Sequence, residues 1–415
     1  MKKIENEIKV NKINIVIAII FLFISFVIAA LTMTINFTPI LKGIYKAAIS
    51  SNNDSENNYV AKIERAIKSS NSVLSKNIVG LEYFVEIYGG TQKLLNKKII
   101  NDSDIGHILK DEQGFLHFPV YNYNVKPNAQ KVVEMKKYFD EIDIPFSFIL
   151  AMPKDYEEYT TFKRGLDVYM NSKKYCDDFL SVLQENQINY MDMRQVVKES
   201  KLDITNSFFK TDHHWKTETA FWAFKEIVNQ IDKDYGINFD QDNFKTDISN
   251  YNIITLKNSF IGSLGKRMGR VYSGIDDYTL ITPKYETNLK LYRGFDKVFI
   301  SEGSFDNTII DKELSRPDAP STTNRYASYF GRDDDFTTVI NDNASNDIKV
   351  LIIKDSFALP VSAFLSMTCK EVTMVDFRAS KDQSVKEFIK NNDYDIVLML
   401  YSSNTVSSDN MFDFK

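Results

Sequence analysis

The sequence predicts an α/β fold in which a parallel sheet is covered by helices on both faces, preceded by one transmembrane helix. Short apolar runs typical of buried strands alternate with helix-like segments in the middle of the chain and again at its end. The 415 residues are 43% hydrophobic, which suffices to build a large core. A separate apolar run near the N-terminus is long enough to cross a bilayer.

The N-terminal apolar run covers residues 15–31 and reads IVIAIIFLFISFVIAAL, with Ser25 as its only polar residue. Continued to Ile35, it reaches the ~20 residues that span a bilayer. Lysines precede the run at positions 2, 3, 9 and 12, and the next lysine is Lys42. The positive-inside rule therefore places the N-terminus in the cytoplasm and the rest of the chain outside it, which predicts a single-pass protein of the cell membrane.

A cleaved signal peptide is the alternative interpretation of this run, because Ala29 and Ala30 are small residues near its end. The run is longer than the usual signal-peptide core of about 7–15 residues, and no clear cleavage motif follows it. These features favour an uncleaved anchor.

Changes in composition divide the chain into three parts. Residues 1–35 are predicted to form a cytoplasmic tip and the transmembrane anchor. Residues 36–76 are predicted to form an extracytoplasmic linker with a polar loop and one exposed helix. Residues 77–415 are predicted to form the main domain, which contains an irregular insertion at about 240–346 rich in Gly, Asn, Asp and Tyr.

The main domain shows its alternation most clearly in two stretches. The first reads helix, strand, helix, strand through QKVVEMKKYFDEI, FSFILAMP, YCDDFLSVLQEN and INYMDM. The second reads strand, helix, strand, helix, strand through IKVLIIKDSFALPVSAFLSM, EVTMVDFR, SVKEFIKNN and YDIVLMLYSSN. Between them, the segment KTETAFWAFKEIVNQI predicts a helix with Thr217 as N-cap and Glu218 in its first turn. Ligands of such sheets gather at the carboxyl ends of the strands.

The composition of the chain and the spacing of its motifs argue against nucleic-acid binding, phosphate-loop nucleotide binding and a disulfide framework. The net charge of −5 and the scattered lysines give no footprint for nucleic acid. The segment GSLGKRMGR, residues 262–270, lacks the spacing of a phosphate-binding loop. Two cysteines, Cys176 and Cys369, are too few for a disulfide framework.

A serine stands at a strand-to-helix turn near the C-terminus. The apolar strand Val350 to Ile353 leads into Asp355 and Ser356, and a helix is predicted from Ala358. Such a turn raises a serine hydroxyl above the sheet edge and points backbone amides at a developing oxyanion. The serine is therefore a candidate nucleophile, although serines also commonly cap helices.

A candidate base lies upstream in FFKTDHHW. Asp212 and His214 are two residues apart and share one side of an extended segment, while His213 points to the other side. Asp212 can therefore orient His214, and His214 can take the proton of Ser356. Two alternatives stay open from the residues alone: an aromatic-packed histidine pair, and a zinc site, for which adjacent histidines are poorly placed.

The motifs FFKTDHHWKTETA and IIKDSFALP together resemble the DHHW protein family and, more distantly, the alginate O-acetyltransferases, which belong with the SGNH hydrolases. The likeness extends from Asn77 to the C-terminus. It implies a three-layer, doubly wound SGNH-like catalytic domain. It also implies that Ser356 is the nucleophile, His214 the general base and acid, and Asp212 the orienting carboxylate.

The resemblance suggests two further site residues and contains one departure. Asn404 stands where SGNH-like enzymes offer an oxyanion-hole asparagine, and Arg378 in DFR stands at the neighbouring strand end, where it would contact substrate. Asn404 could equally be a turn residue, and Arg378 could pair with Asp376. Lys354 replaces the glycine that usually precedes Asp-Ser in these hydrolases.

The function expected from these features is serine-dependent O-acyl transfer, most simply O-acetylation of a cell-surface or secreted polysaccharide. The resemblance implies that the acyl donor is delivered by a multi-spanning membrane acyltransferase. This chemistry calls for no cofactor and no metal. A carbohydrate esterase with the same triad and a non-catalytic polysaccharide-binding protein remain as alternatives, and Lys354 favours the second.

Overall fold

A computed structural model describes residues 2–49, 59–156, 158–378 and 384–414. The chain divides into two compact units, residues 1–87 and residues 88–415, which are described separately below.

The first unit is helical. Its helices are α1 (Lys2–Ile35), α2 (Phe37–Ile49), α3 (Tyr59–Lys76) and the first part of α4 (Leu81–Leu94). Within α1, Lys12–Ile35 is the one segment of the described residues that is long and apolar enough to cross a membrane. Helix α3 is the exposed helix that the sequence predicts, whereas the predicted polar loop, Ser50–Asn58, lies outside the described residues.

The second unit contains all of the strands in the described residues. Its helices are α5 (Lys126–Glu141), α6 (Ser172–Glu185), α7 (Met193–Glu199), α8 (Thr217–Tyr235), α9 (Ser263–Met268), α10 (Arg270–Ser273), α11 (Phe305–Thr308), α12 (Lys312–Ser315), α13 (Ala358–Leu365) and α14 (Val385–Lys390). Its strands are β1 (Ile99–Asp102), β2 (Gly106–Lys110), β3 (Leu116–His117), β4 (Phe146–Leu150), β5 (Tyr190–Asp192), β6 (Tyr251–Phe260), β7 (Asp276–Pro283), β8 (Leu289–Arg293), β9 (Val298–Gly303), β10 (Phe336–Asn341), β11 (Lys349–Lys354), β12 (Glu371–Val375) and β13 (Ile396–Tyr401).

An eight-stranded sheet organises this unit, with strand order β5-β4-β13-β11-β12-β10-β8-β9. The first five strands are parallel to one another, and β10, β8 and β9 continue the sheet in antiparallel pairs. The parallel α/β fold expected from the sequence is thus confirmed. Two small antiparallel sheets, β1-β2-β3 and β6-β7, stand apart from it.

Both faces of the main sheet are buried, as the side chains of β11 demonstrate. Val350 and Ile352 belong to a core cluster shared with α8 and α13, whereas Leu351 and Ile353 belong to a second cluster shared with α5, α6 and α14. Successive side chains of a strand point to opposite faces of the sheet. The division of the β11 side chains between two clusters therefore shows that the sheet lies between two helical layers. A strand buried on both sides reads as a continuous apolar run, which is why the sequence identified it.

Residues 240–346 contain short strands, as the sequence indicates, and three of them extend the main sheet. Strand β10 pairs with β12, β8 pairs with β10, and β9 forms the outer edge. The outer strand β9 is exposed along most of its length, unlike the strands that are buried on both faces. The start of α8 also differs slightly from expectation, because Lys216 occupies the N-cap position and Thr217 is the first helical residue.

Candidate active site

The turn between β11 and α13 fixes the position of Ser356. The buried carboxylate of Asp355 accepts hydrogen bonds from the Phe357 amide (2.9 Å), the Ser402 amide (2.7 Å) and the Thr405 hydroxyl (2.6 Å). Ser402 and Thr405 follow β13, the parallel neighbour of β11. Asp355 therefore ties two adjacent strand ends together and holds Ser356 at the carboxyl edge of the sheet.

The segment that carries Asp212 is held in place by the side chain of Asp276, at the start of β7. The Asp276 carboxylate accepts hydrogen bonds from the amides of Lys210 and Thr211 (2.8 Å each) and from the Thr211 hydroxyl (2.6 Å). The Thr211 hydroxyl in turn accepts a hydrogen bond from the Gly262 amide (2.8 Å). These contacts dock the segment onto the loop that precedes α9.

Asp212, His214 and Ser356 form a continuous chain of hydrogen bonds. His214 Nδ1 lies 2.5 Å from Asp212 Oδ1, and His214 Nε2 lies 2.7 Å from Ser356 Oγ. Asp212 also accepts hydrogen bonds from the His214 amide (3.0 Å) and the Ser263 amide (2.6 Å). This is the arrangement in which a carboxylate orients an imidazole and the imidazole accepts the proton of a serine hydroxyl.

The electrostatics of the group keep Asp212 ionised. Burial raises the pKa of the Asp212 carboxyl, but the electrostatic interaction with the adjacent His213 and His214 rings and the hydrogen bonds from His214 and the Ser263 amide outweigh it, so the pKa lies well below its ordinary value. Burial lowers the pKa of His213 to about 3, so His213 is neutral at physiological pH. His213 Nδ1 lies 3.0 Å from the Ser263 hydroxyl, and the His213 ring lines the cleft beside Ser356.

An aromatic contact that the sequence did not predict fixes the plane of His214. The Tyr326 ring stacks on the His214 ring with centroids 3.7 Å apart and an interplanar angle of 13°. The Tyr326 hydroxyl and the buried Trp215 indole both donate hydrogen bonds to the Phe357 carbonyl, at 3.3 and 3.2 Å. Tyr326 lies in the irregular region, where no local pattern distinguishes it from the other tyrosines.

A cleft of about 240 Å³ opens beside Ser356. Asn404 and Arg378, the two further site residues that the resemblance suggests, both line it. Among the described residues, the Asn404 side-chain amide and the Ser356 backbone amide have no hydrogen-bond partner, whereas the Phe357 amide is already bonded to Asp355. Two unpaired donors therefore remain beside the serine, the kind of group that stabilises an oxyanion.

Arg378 and Lys354 belong to a shared ion-pair network at the ends of β11 and β12. Arg378 donates to both carboxylate oxygens of Asp376 through Nε (2.9 and 3.1 Å) and to Asp333 through Nη2 (2.7 Å). Lys354 is buried, pairs with Asp333, and lies 3.6 Å from Asp376 Oδ2. Arg378 thus has the pairing that the sequence left as an alternative and also faces the cleft. Lys354 is not among the residues that line the cleft.

The carboxylate and imidazole groups of Asp212, His213 and His214 also lie close enough together to be considered as metal ligands, within 4.8 Å of one another. Both ring nitrogens of His214 are occupied, one by Asp212 and the other by Ser356. An ion would have to displace one of these contacts. The observed geometry therefore favours the triad over the zinc alternative.

Comparisons with known proteins agree with this architecture. Residues 156–252, which include Asp212 and His214 but not Ser356, match the family model ALGX, described as the SGNH hydrolase-like domain of the acetyltransferase AlgX. No curated protein matches the sequence.

Three solved structures share the fold. Two are of Bacillus cereus PatB1, one with a sulfonyl adduct (20% identity, TM-score 0.60, 76% of this chain and 100% of that one) and one without (21%, 0.61, 74% and 99%). The third is a DHHW family protein from Eubacterium siraeum (16%, 0.55, 76% and 97%). Residues 156–252 are therefore similar to the SGNH hydrolase-like domain of the acetyltransferase AlgX, and the chain shares its fold with PatB1 and the DHHW family protein.

Proposed function

We propose that this chain is a membrane-anchored, extracytoplasmic O-acyltransferase that moves an acetyl group onto hydroxyls of a cell-surface or secreted polysaccharide. The observation that carries the proposal is the hydrogen-bonded series Asp212–His214–Ser356 at the edge of an open cleft. The ALGX match supports acetyl transfer as the chemistry.

The reaction proceeds in two steps. His214 Nε2 takes the proton of Ser356 as the serine oxygen attacks the acyl carbonyl, and the imidazolium returns that proton to the departing group of the donor. The Ser356 amide and the Asn404 side chain donate to the oxyanion of the tetrahedral intermediate. In the second step, His214 takes the proton of a sugar hydroxyl, whose oxygen attacks the acyl-serine and releases Ser356.

The proposal assigns two partners. The acceptor is a polysaccharide that enters the cleft lined by Arg378 and Asn404. The acyl donor is delivered across the membrane by a multi-spanning acyltransferase, and the apolar helix Lys12–Ile35 keeps the chain at the membrane beside it. Residues 1–35 serve as tip and anchor, residues 36–76 as the linker, and residues 77–415 as the catalytic domain.

The non-catalytic alternative loses its main support. That alternative was favoured by Lys354, since a lysine before Asp-Ser could have distorted the turn or filled the site. Lys354 is instead paired with Asp333 and buried, and the turn carries Ser356 within 2.7 Å of His214. The esterase alternative uses the same triad with water as acceptor, so the experiment below must separate the two acceptors.

The full-length chain in detergent is tested with a chromogenic acetyl ester, with and without oligosaccharide acceptors. We expect Ser356→Ala and His214→Ala to abolish acetate release and acetylated sugar, measured by mass spectrometry. Lys257→Ala serves as the control and should retain the reaction, because the Lys257 side chain is 74% exposed and does not line the cleft. Release without transfer would identify an esterase. Equal activity in all four proteins would eliminate the triad.

A sulfonyl fluoride provides an independent test of the nucleophile. The serine oxygen displaces fluoride and forms a sulfonyl ester, which adds a defined mass to one peptide. We expect the label on Ser356 in the wild-type chain and its loss in His214→Ala, because the attack needs the base. A label on another residue, or labelling that is indifferent to His214, would contradict the assigned roles.

A further inference from the structure

Lys154 is a buried cation directly behind the triad that the reaction steps above do not use. It follows β4 at the same sheet edge as Ser356, and only 9% of its surface is exposed. Its ammonium donates hydrogen bonds to the carbonyl oxygens of Asp212 (2.6 Å), Leu116 (2.6 Å) and Lys210 (3.4 Å). It therefore joins β3 to both ends of the short segment that carries the triad carboxylate.

The number of carbonyl oxygens around Lys154 matches the number of hydrogens on a protonated lysine side chain. A protonated lysine has three hydrogens and no acceptor, and three carbonyl oxygens surround this one. The two short bonds, to Asp212 and Leu116, are charge-assisted and hold the segment in place, whereas the Lys210 carbonyl also accepts a hydrogen bond from the Leu116 amide (2.8 Å). A neutral amine would lose the charge that strengthens these two bonds, and its lone pair would face one of the three carbonyl oxygens.

The side-chain carboxylate and the backbone carbonyl of Asp212 are thus held by different groups. Its side chain is held by His214 and the Ser263 amide, and its backbone carbonyl is held by Lys154. Displacement of the backbone would move the carboxylate relative to His214, and errors of about 1 Å in a reacting group can cost about 10²-fold in rate.

We propose that Lys154 is a positioning residue that holds Asp212 in register with His214 and Ser356, and that its protonation state sets the alkaline limit of the reaction. The inference rests on the proposed function, since it concerns the alignment of that triad.

The surroundings of Lys154 bring its pKa into a pH range in which activity can be measured. Burial lowers the pKa of Lys154 to about 8, against the opposing attraction of nearby carboxylates. The charged and titratable groups that face it are Asp276, Asp212, Asp111, Asp155, His117 and His213. Burial also keeps His117 and His213 neutral near pH 8, since it lowers their pKa values to about 4 and about 3.

The test compares the full-length wild-type chain with Lys154→Met, and uses Lys110→Met as a matched control. Lys110 is also a partly buried lysine that donates to a backbone carbonyl, that of Tyr272, but it has no contact with the triad. At pH 7 we expect Lys154→Met to lower kcat by about 10²-fold with KM nearly unchanged. The control should retain the wild-type kcat.

The second readout is the ratio of wild-type to Lys154→Met kcat as the pH rises. Effects of pH on the ester and the acceptor are common to both proteins and cancel in this ratio. We expect the ratio to fall several-fold as the pH rises through about 8, because the wild-type lysine then loses a hydrogen that the variant never had. A purely structural role would leave the ratio constant.

The outcomes are distinct. A folded Lys154→Met with wild-type kcat, or a ratio that is constant from about pH 7 to about pH 9, would overturn the inference. If Lys154→Met does not fold, the dependence of the wild-type kcat on pH is the deciding measurement. A wild-type kcat that stays constant from about pH 7 to about pH 9, while the chain remains folded, also overturns the inference. A wild-type chain whose activity is indifferent to Ser356→Ala overturns the proposed function itself.

Discussion

At the residue scale, the site depends on groups that hold Asp212 as much as on the three reacting side chains. Gly262 is the tightest of these contacts. Its φ of −76° is open to any residue, so the obstacle to a side chain is space alone. A Cβ atom at this position would lie 2.1 Å from Asp212 Cβ and 2.3 Å from Asp212 Oδ2.

Gly262→Ala should therefore disable the enzyme with a smaller effect on folding. The added methyl must displace the Asp212 carboxylate, so we expect activity to fall by about 10²-fold or more and the free energy of unfolding to fall by about 1–3 kcal/mol. Ester hydrolysis and chemical denaturation measure the two effects. Gly90→Ala is the control, because its new Cβ would meet only Val271 Cγ1 at 3.5 Å. Full activity in Gly262→Ala would show that the carboxylate tolerates displacement.

The residues of the proposed triad could be named from the sequence because each lies in a short motif with its own physical signature. The spacing of Asp212 and His214 predicted that both lie on one side of an extended segment, and Ser356 follows the apolar run Val350 to Ile353. The extended conformation was wrong, because residues 210–214 form a bend closed by the Phe208–Trp215 bridge, and the His213 and His214 rings lie 3.8 Å apart. Tyr326 and Lys154 could not be named, since a tyrosine in an irregular region and a lysine after a strand carry no local signal. Their roles arise only when distant segments meet.

At the element scale, the ends of β11 and β12 are joined by charged groups instead of by apolar packing. Lys354 has 1% of its side chain exposed and Asp376 has 3%, and Asp333 completes the group. Removing one partner of a buried pair leaves the other charge uncompensated, which costs about 3–5 kcal/mol.

Lys354→Met should therefore lower the free energy of unfolding near neutral pH, by up to about 3 kcal/mol, because Arg378 still pairs with Asp376 and Asp333 and offsets part of the lost compensation. Burial raises the pKa of Asp376, but the hydrogen bonds from Arg378 and the charge of Lys354 outweigh it, so the folded-state pKa lies below its ordinary value of 3.8. Ionised Asp376 thus contributes stability above about pH 4 that is lost as the pH falls through the folded-state pKa. The destabilisation should accordingly shrink below about pH 4.

Denaturant titrations at neutral and acidic pH measure this effect, with Lys257→Met as the control. Lys257 pairs with Asp277 at 2.7 Å, but its side chain is 74% exposed, so its removal should change stability little at either pH. Equal destabilisation of both variants, or a Lys354→Met effect that grows in acid, would contradict the buried-pair account.

Elements that are buried on both faces were predicted well, and those at the edge were not. Strands β4, β11, β12 and β13 read as apolar runs, and the helices between them show helical spacing. Strands β8, β9 and β10 were predicted only as short strands in an irregular insertion. Their membership of the main sheet depends on pairing between segments distant in the sequence, which no local pattern records.

At the scale of the whole molecule, the apolar helix Lys12–Ile35 and the charge pattern around it predict which side of the membrane carries the catalytic domain. The two natural cysteines are suited to a test of this prediction, since Cys176 and Cys369 are both fully buried. A single new cysteine on the surface would therefore be the main target of a thiol reagent.

Glu313→Cys should react with a membrane-impermeant maleimide in intact cells, because 81% of the Glu313 side chain is exposed and the domain is proposed to be extracytoplasmic. Lys3→Cys, in the proposed cytoplasmic tip, should react only after lysis. Gel-shift labelling of the two variants measures the orientation. Protection of Glu313→Cys in intact cells, with labelling after lysis, would reverse the proposed topology.

The sequence by itself determined the parallel α/β class, the apolar N-terminal span and the motifs that contain Asp212, His214 and Ser356. These features are local, because strand burial, bilayer length and motif spacing are all written into neighbouring residues. The tertiary structure decided that His214 lies 2.7 Å from Ser356, and that Lys354 pairs with Asp333. It also decided that Lys154 donates to the Asp212 backbone carbonyl and that Gly262 packs closely against the Asp212 side chain. Contacts between separate segments of the chain are set by the packing of whole elements, and a linear pattern does not specify that packing.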